Sequence, residues 1–192
     1  MNLIAAPVCT STFLVGDAQC DQIQHLLRGS KTPVLALGSQ TSALAAISAG
    51  LLQQREAGHP VGTLHLIAHG RPGMFRIGDQ WIDAEALKAH ASDLARWDVE
   101  TIALWSCHLG ADADFVALLE ELTGAQVLAS ADWLGRDDEG VEQLQLGEWN
   151  LADLLALETW PAAFRLAVSI NAVDGTGICP EDELLFQAGG NA

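Results

Sequence analysis

Residues 63–70 read Thr-Leu-His-Leu-Ile-Ala-His-Gly, and residues 101–110 read Thr-Ile-Ala-Leu-Trp-Ser-Cys-His-Leu-Gly. Each stretch opens on a short, nearly continuous apolar run, Thr63–Ala68 in the first and Thr101–Trp105 in the second. Such runs mark strands covered on both faces, as in a parallel sheet. Each run then stops at residues that carry chemistry, His69-Gly70 and Ser106-Cys107-His108. A third short run, Gln126–Ala129, stops at Ser130-Ala131-Asp132.

Helical patterns separate these strands. Asp83 is placed to cap a helix over Ala84–Trp97 with Leu87 and Leu94 facing inward, and a second helix runs from Asp112 to Thr123. Towards the N-terminus, Ser42–Arg55 is helical and closed by Gly58 and Pro60, and Pro33–Leu37 reads as another buried strand. Ala18–Leu27 reads as a helix capped by Asp17, after a weaker strand signal at Ser11–Val15. Gly73–Ile77 and Gln80–Ile82, joined by Gly78-Asp79, read as a small hairpin. Strand and helix in alternation predict an α/β domain: a three-layer sandwich with a mostly parallel sheet flanked by helices. Later, Val141–Leu146 alternates like an antiparallel edge strand, and Asn150–Leu157 is helical up to Pro161. Beyond Val168 the pattern fades, so the expected division is a domain over 1–168 and a flexible tail or linker over 169–192.

With 192 residues, 49% of them apolar, the chain can bury a core of this kind. Its formal net charge of −16 opposes a phosphate backbone, so no nucleic-acid partner is expected. No apolar run reaches the ~18 residues of a membrane span, and Met1–Pro7 lacks the cationic start of a secretory signal. The expected location is the cytoplasm, or export by a route that ignores the N-terminus as part of a larger surface protein. The four cysteines, Cys9, Cys20, Cys107 and Cys179, form no Cys-x-x-Cys pair. A Cys9–Cys20 disulfide is open to them, and Cys9, Cys20 and Cys179 otherwise read as ordinary small apolar side chains.

Cys107 differs because of its place. In open parallel sheets, ligands bind beyond the carboxyl ends of the strands. Three strand ends there present an imidazole, a thiol and a carboxylate. A thiol with a free pKa of about 8.5 attacks only as the thiolate, which a helix N-terminus and an imidazolium both favour. Gly70 and Gly110 allow backbone to approach a substrate without a Cβ. The amides of Gly70 and Cys107 are then placed to form an oxyanion hole. A zinc site from His65, His69, Cys107 and His108 has no supporting second shell in the sequence, and Ser106 lacks the Gly-x-Ser-x-Gly elbow of serine hydrolases.

An apolar strand ending in His-Gly, followed by a second ending in Cys, resembles the clan of cysteine peptidases that includes caspases, metacaspases, gingipains, separase and the CHAT domains. The separation is 107 − 69 = 38 residues, shorter than the ~50 of caspases. Ser106-Cys107-His108-Leu109-Gly110 is similar to a metacaspase run. The segments LHLIAHGRPGMFRIG, ALWSCHLG and LTGAQVLASADWLG resemble a caspase-like domain of unknown function found near the front of giant bacterial adhesins and toxin-like surface proteins, over roughly Thr12–Trp149. The resemblance implies a dyad of Cys107 as nucleophile and His69 as the acid that protonates the leaving amine, with the amides of Gly70 and Cys107 as oxyanion donors. Metacaspases carry an aspartate two residues before the cysteine, for a basic P1 side chain; here that position is Trp105. The substrate pocket is then apolar, or relies on Asp132, with Ser130 and His108 beside it.

The expected activity is a cysteine endopeptidase acting on a polypeptide substrate, a partner or its own chain. The alternative is a non-catalytic module that keeps the fold for binding or assembly in an adhesin-type surface protein. No cofactor is expected. Asp137, Asp138 and Glu139 share a loop whose charge would attract Lys/Arg substrates or Ca²⁺, the latter as an activator, although no EF-hand spacing is present.

Overall fold

The computed structural model describes residues 11–39, 42–137, 139–156 and 164–166. Its strands are β1 (Ser11–Asp17), β2 (Val34–Leu37), β3 (Val61–Ile67), β4 (His69–Arg71), β5 (Met74–Ile77), β6 (Gln80–Ile82), β7 (Thr101–Trp105), β8 (Gln126–Ala129), β9 (Gly135–Arg136), β10 (Glu142–Gln143), β11 (Gln145–Leu146), β12 (Trp149–Asn150) and β13 (Phe164–Arg165). Its helices are α1 (Asp21–Arg28), α2 (Ala43–Glu56), α3 (Ala84–Ala89), α4 (Ala91–Leu94), α5 (Ala113–Thr123) and α6 (Leu151–Leu154). Five strands form a parallel sheet in the order β2-β1-β3-β7-β8.

Alternation along the central strands divides the apolar residues between two faces. Phe13, Val15, Leu64, Leu66, Ile102 and Leu104 pack with α2–α5 through residues such as Ile47, Leu87, Leu94 and Phe115. Leu14, Ile67, Ala103 and Trp105 face the other way, onto Ile23, Leu26 and Leu27 of α1 and onto the later segments carrying Leu134, Leu146, Leu151 and Leu166. The molecule is thus the α/β sandwich expected, with helices on one face and a mixed helix-and-strand layer on the other.

Several local expectations need correction. The weak signal at Ser11–Val15 is a seven-residue strand between β2 and β3, with Leu14 and Val15 fully buried. Pro33–Leu37, expected to be buried, supplies the edge strand β2, with Val34 37% exposed because only β1 covers that side. Asp17 does not cap α1, whose N-cap is Cys20. Buried at the end of β1, its carboxylate accepts from the amides of Gln19 and Gly78, at 2.9 and 3.1 Å. The long helix expected over Ala84–Trp97 breaks at His90, whose ring faces Ser42 and Asp93, giving α3 and α4. The expected edge strand Val141–Leu146 divides into β10, on β9, and β11, which pairs with β12. Among the described residues of the expected helix at Asn150–Leu157, Leu151–Leu154 are helical, capped by Asn150. The tail at 169–192, Asp138, Cys179 and Cys9, and with Cys9 the pairing to Cys20 that the sequence leaves open, lie outside the described residues.

The hairpin β5–β6 turns at Gly78-Asp79, as its sequence suggests. Gly78 has φ +60°, where an L side chain is strained, and a Cβ there would meet the Gly38 carbonyl. Gly78→Ala is therefore expected to cost at least about 2 kcal/mol, lowering Tm by roughly 4–8 °C in a thermal melt. An unchanged Tm would show that the turn is not held in this conformation.

Candidate active site at the carboxyl rim of the sheet

Register fixes the heart of the rim. β3 and β7 are parallel neighbours, with Ile67 opposite Trp105, so both chains leave the sheet together. The Ala68 amide donates to Trp105 O at 3.2 Å, and Ser106 Oγ donates to Ala68 O at 2.9 Å. His69 and Cys107, one residue further on each chain, therefore emerge side by side at the same rim. Both are buried, His69 at 2% and Cys107 at 0% exposure.

Gly70 allows this close approach. A Cβ at residue 70 would lie 2.6 Å from Ser106 Cβ and 3.0 Å from Cys107 O. With no Cβ in the way, the amide of Gly70 comes beside that of Cys107. The two amides donate to one oxygen, the carbonyl of Leu166, at 3.1 Å from Gly70 and 2.8 Å from Cys107. Convergence of two backbone donors on a single carbonyl oxygen is the geometry of an oxyanion hole.

The sulfur lies next to the same segment. Cys107 Sγ accepts from the Leu134 amide at 3.0 Å and faces Leu134 O at 3.3 Å. Leu134 O also accepts from the Leu166 amide at 3.0 Å. Thiol and Leu166 backbone thus share an acceptor, while Phe164 and Arg165 pair antiparallel with Arg136 and Gly135.

A second thiol touches His69. Cys20 Sγ lies 3.1 Å from His69 Nε2, and both groups are buried. Cys20 was read from the sequence as an ordinary apolar side chain. It follows the end of β1, the strand beside β3, and so obeys the same strand-end rule that singled out His69 and Cys107. The helical pattern expected from Ala18 runs across that position, whereas α1 begins at Asp21.

The residues expected around the substrate separate into two groups. Trp105, fully buried, belongs to the apolar cluster that also holds Cys107, Leu134, Leu146 and Leu166. Its indole N–H donates to His65 Nδ1 at 3.0 Å. Ser130, Asp132 and His108 instead build the loop outside that cluster. Ser130 Oγ bonds the Asp132 backbone, the His108 amide donates to Asp132 O at 2.9 Å, and the exposed His108 ring lies 3.2 Å from Ala131 O. His108 has φ +58° and is exposed, whereas Cys107 beside it in sequence is buried. Asp137 accepts from the Glu139 and Val141 amides and so closes its own loop. Among the described residues no group of three His, Cys, Asp or Glu side chains is placed to hold a metal ion, and no helix is long and apolar enough to cross a membrane.

The fold and rim together define an α/β protein with a buried thiol–imidazole rim and a paired-amide cradle. Residues 13–168 match the family described as "Domain of unknown function (DUF4347)", and the chain belongs to that family. No curated protein and no solved structure matches it.

His65 lies beneath the site, fully buried, stacked on Trp105 and met edge-on by Trp149 at 4.9 Å. Its Nε2 has no hydrogen-bond partner among the described residues. Burial lowers its pKa to about 4, against an ordinary value near 6.5. The folded state therefore refuses a proton that the unfolded chain accepts below pH 6.5, so this residue makes stability fall as pH drops from 6.5 towards 4. The full effect is of order 3 kcal/mol. Urea melts at pH 7.5 and 5 are expected to differ less in His65→Gln, which keeps an acceptor for Trp105, than in the parent; equal slopes would contradict the assignment.

Proposed function

We propose that this chain is a caspase-like cysteine endopeptidase with Cys107 as nucleophile and His69 as acid and base. The single observation that carries the proposal is the convergence of the Gly70 and Cys107 amides on one carbonyl oxygen, at 3.1 and 2.8 Å, beside the Cys107 sulfur. The strand order that sets His69 beside Cys107, and the sequence resemblance of both strand ends to caspase-like peptidases, support the same reading.

In the mechanism, the thiol proton passes to His69 and the Cys107 thiolate attacks the peptide carbon. The carbonyl π electrons move onto oxygen, where the two amides bind the developing charge; one such donor contributes about 3–4 kcal/mol in other enzymes. The C–N bond then breaks, and the leaving nitrogen takes a proton from the His69 imidazolium. Water, giving a proton back to His69, opens the thioester and restores the thiol. Cys20, 3.1 Å from His69 Nε2, acts as a positioning residue that orients the ring. Trp105 and its apolar neighbours favour an uncharged residue before the scissile bond, and Asp132, on the exposed loop, recognises substrate further out.

A second reading has its own observation. Cys107 is fully buried and its sulfur is held by both backbone groups of Leu134, as suits a structural thiol in a binding or assembly module of an adhesin-type protein. Incubation of the full chain with a mixed peptide library, with and without Ca²⁺, separates the two. The peptidase gives new termini in the peptides or in the chain itself, lost in Cys107→Ala and reduced at least ~100-fold in His69→Ala. Cys20→Ala retains cleavage but displaces its pH profile. Absence of thiol-dependent termini under both conditions would overturn the peptidase and favour the binding module.

A further inference from the structure

The oxygen held by the two amides belongs to this chain. Leu166 places its carbonyl between Gly70 N and Cys107 N, its own amide on Leu134 O, and its side chain, 1% exposed, in the cluster with Trp105, Cys107 and Leu134. The two residues before it, Phe164 and Arg165, continue as the strand β13 along β9. An extended segment that adds to a sheet edge through its backbone, with one side chain in a pocket, is how a strand-type peptide ligand is bound. Every backbone group of Leu166 is therefore used as a substrate's would be at the residue before a scissile bond. The pocket explains the departure at Trp105: an apolar wall replaces an acidic one, and the side chain it receives is a leucine.

We infer that the chain cuts itself between Leu166 and Ala167. The inference rests on the peptidase function proposed above, and it names that site's first substrate. Cys107 Sγ bonds to the Leu166 carbonyl carbon as the thiol proton goes to His69. The Leu166–Ala167 bond breaks, and the Ala167 nitrogen leaves as an amine with the proton from His69. Water then converts the Leu166 thioester to a carboxylate and returns the thiol. The sum is one peptide bond and one water giving one acid and one amine. The products are a domain ending at Leu166 and a chain beginning at Ala167. The segment matched by the family ends at residue 168, just past this bond. Because nucleophile and bond share one chain, the cut is intramolecular.

Intact-mass measurement of the full chain, with sequencing of any new terminus, tests this on the parent, Cys107→Ala, Leu166→Asp and Leu166→Met. The parent is expected to yield a new N-terminus at Ala167 at a rate independent of protein concentration over a hundredfold dilution. Cys107→Ala stays whole. Leu166→Met still cuts, and Leu166→Asp slows the cut at least ~100-fold while keeping the parent's circular dichroism and cooperative thermal melt, which shows that it is folded. If Leu166→Asp fails to fold, the parent's terminus and the Leu166→Met result decide alone. A parent that cleaves library peptides but stays whole, or cuts itself at another bond, overturns the inference and leaves the peptidase standing. Absence of thiol-dependent cleavage in chain and peptides alike overturns both.

Discussion

Two backbone N–H groups aimed at one oxygen are the constraint on which the rest of this structure depends. Backbone amides cannot be supplied by swapping a side chain; they point where the sheet sends them. The parallel pairing of β3 with β7 brings Gly70 and Cys107 to one level, and the missing Cβ of residue 70 lets them share a target. The sulfur of Cys107 and the Leu166 amide both meet the Leu134 carbonyl beside that target, and the His69 ring meets Cys20.

The layer that covers the buried rim is the less regular half of the molecule. Helices α2–α5 cover one sheet face with a conventional apolar core. The opposite face is covered by α1, by short strands and by α6, and there the structure spends its buried polar groups: His65, His69 and two thiols among leucines and tryptophan. Burial disfavours the charged form of such groups, as the lowered pKa of His65 reflects. They lie on the face that carries the candidate chemistry, where such groups are expected.

How much of this was legible beforehand differs by element. Apolar runs at 63–68 and 101–105 announced the sheet, and the strand-end rule singled out His69, Gly70 and Cys107, which the β3–β7 register brings to one rim. Three things were not visible. β1 carries Gly16 and Asp17 within its span, which blunts its apolar signal although it lies second from the edge. Cys20 was hidden by a helix started too early, at a capping residue whose carboxylate in fact ties β1 to the Gly78 turn. Leu166 gave no signal at all, because its importance lies in a long-range backbone contact that no local pattern encodes. The loop residues Ser130, Asp132 and His108 were the reverse case: their sequence positions suggested the pocket, whereas local turn bonding holds them outside the apolar cluster.

A crystal structure of the full-length Cys107→Ala protein, which retains the backbone amide of residue 107 and removes the sulfur, is the most direct test of the central claim. The predicted result is the Leu166 carbonyl oxygen within ~3.2 Å of the amides of residues 70 and 107 together. Density showing those amides pointing to different partners, or Leu166 away from the rim, would contradict the account.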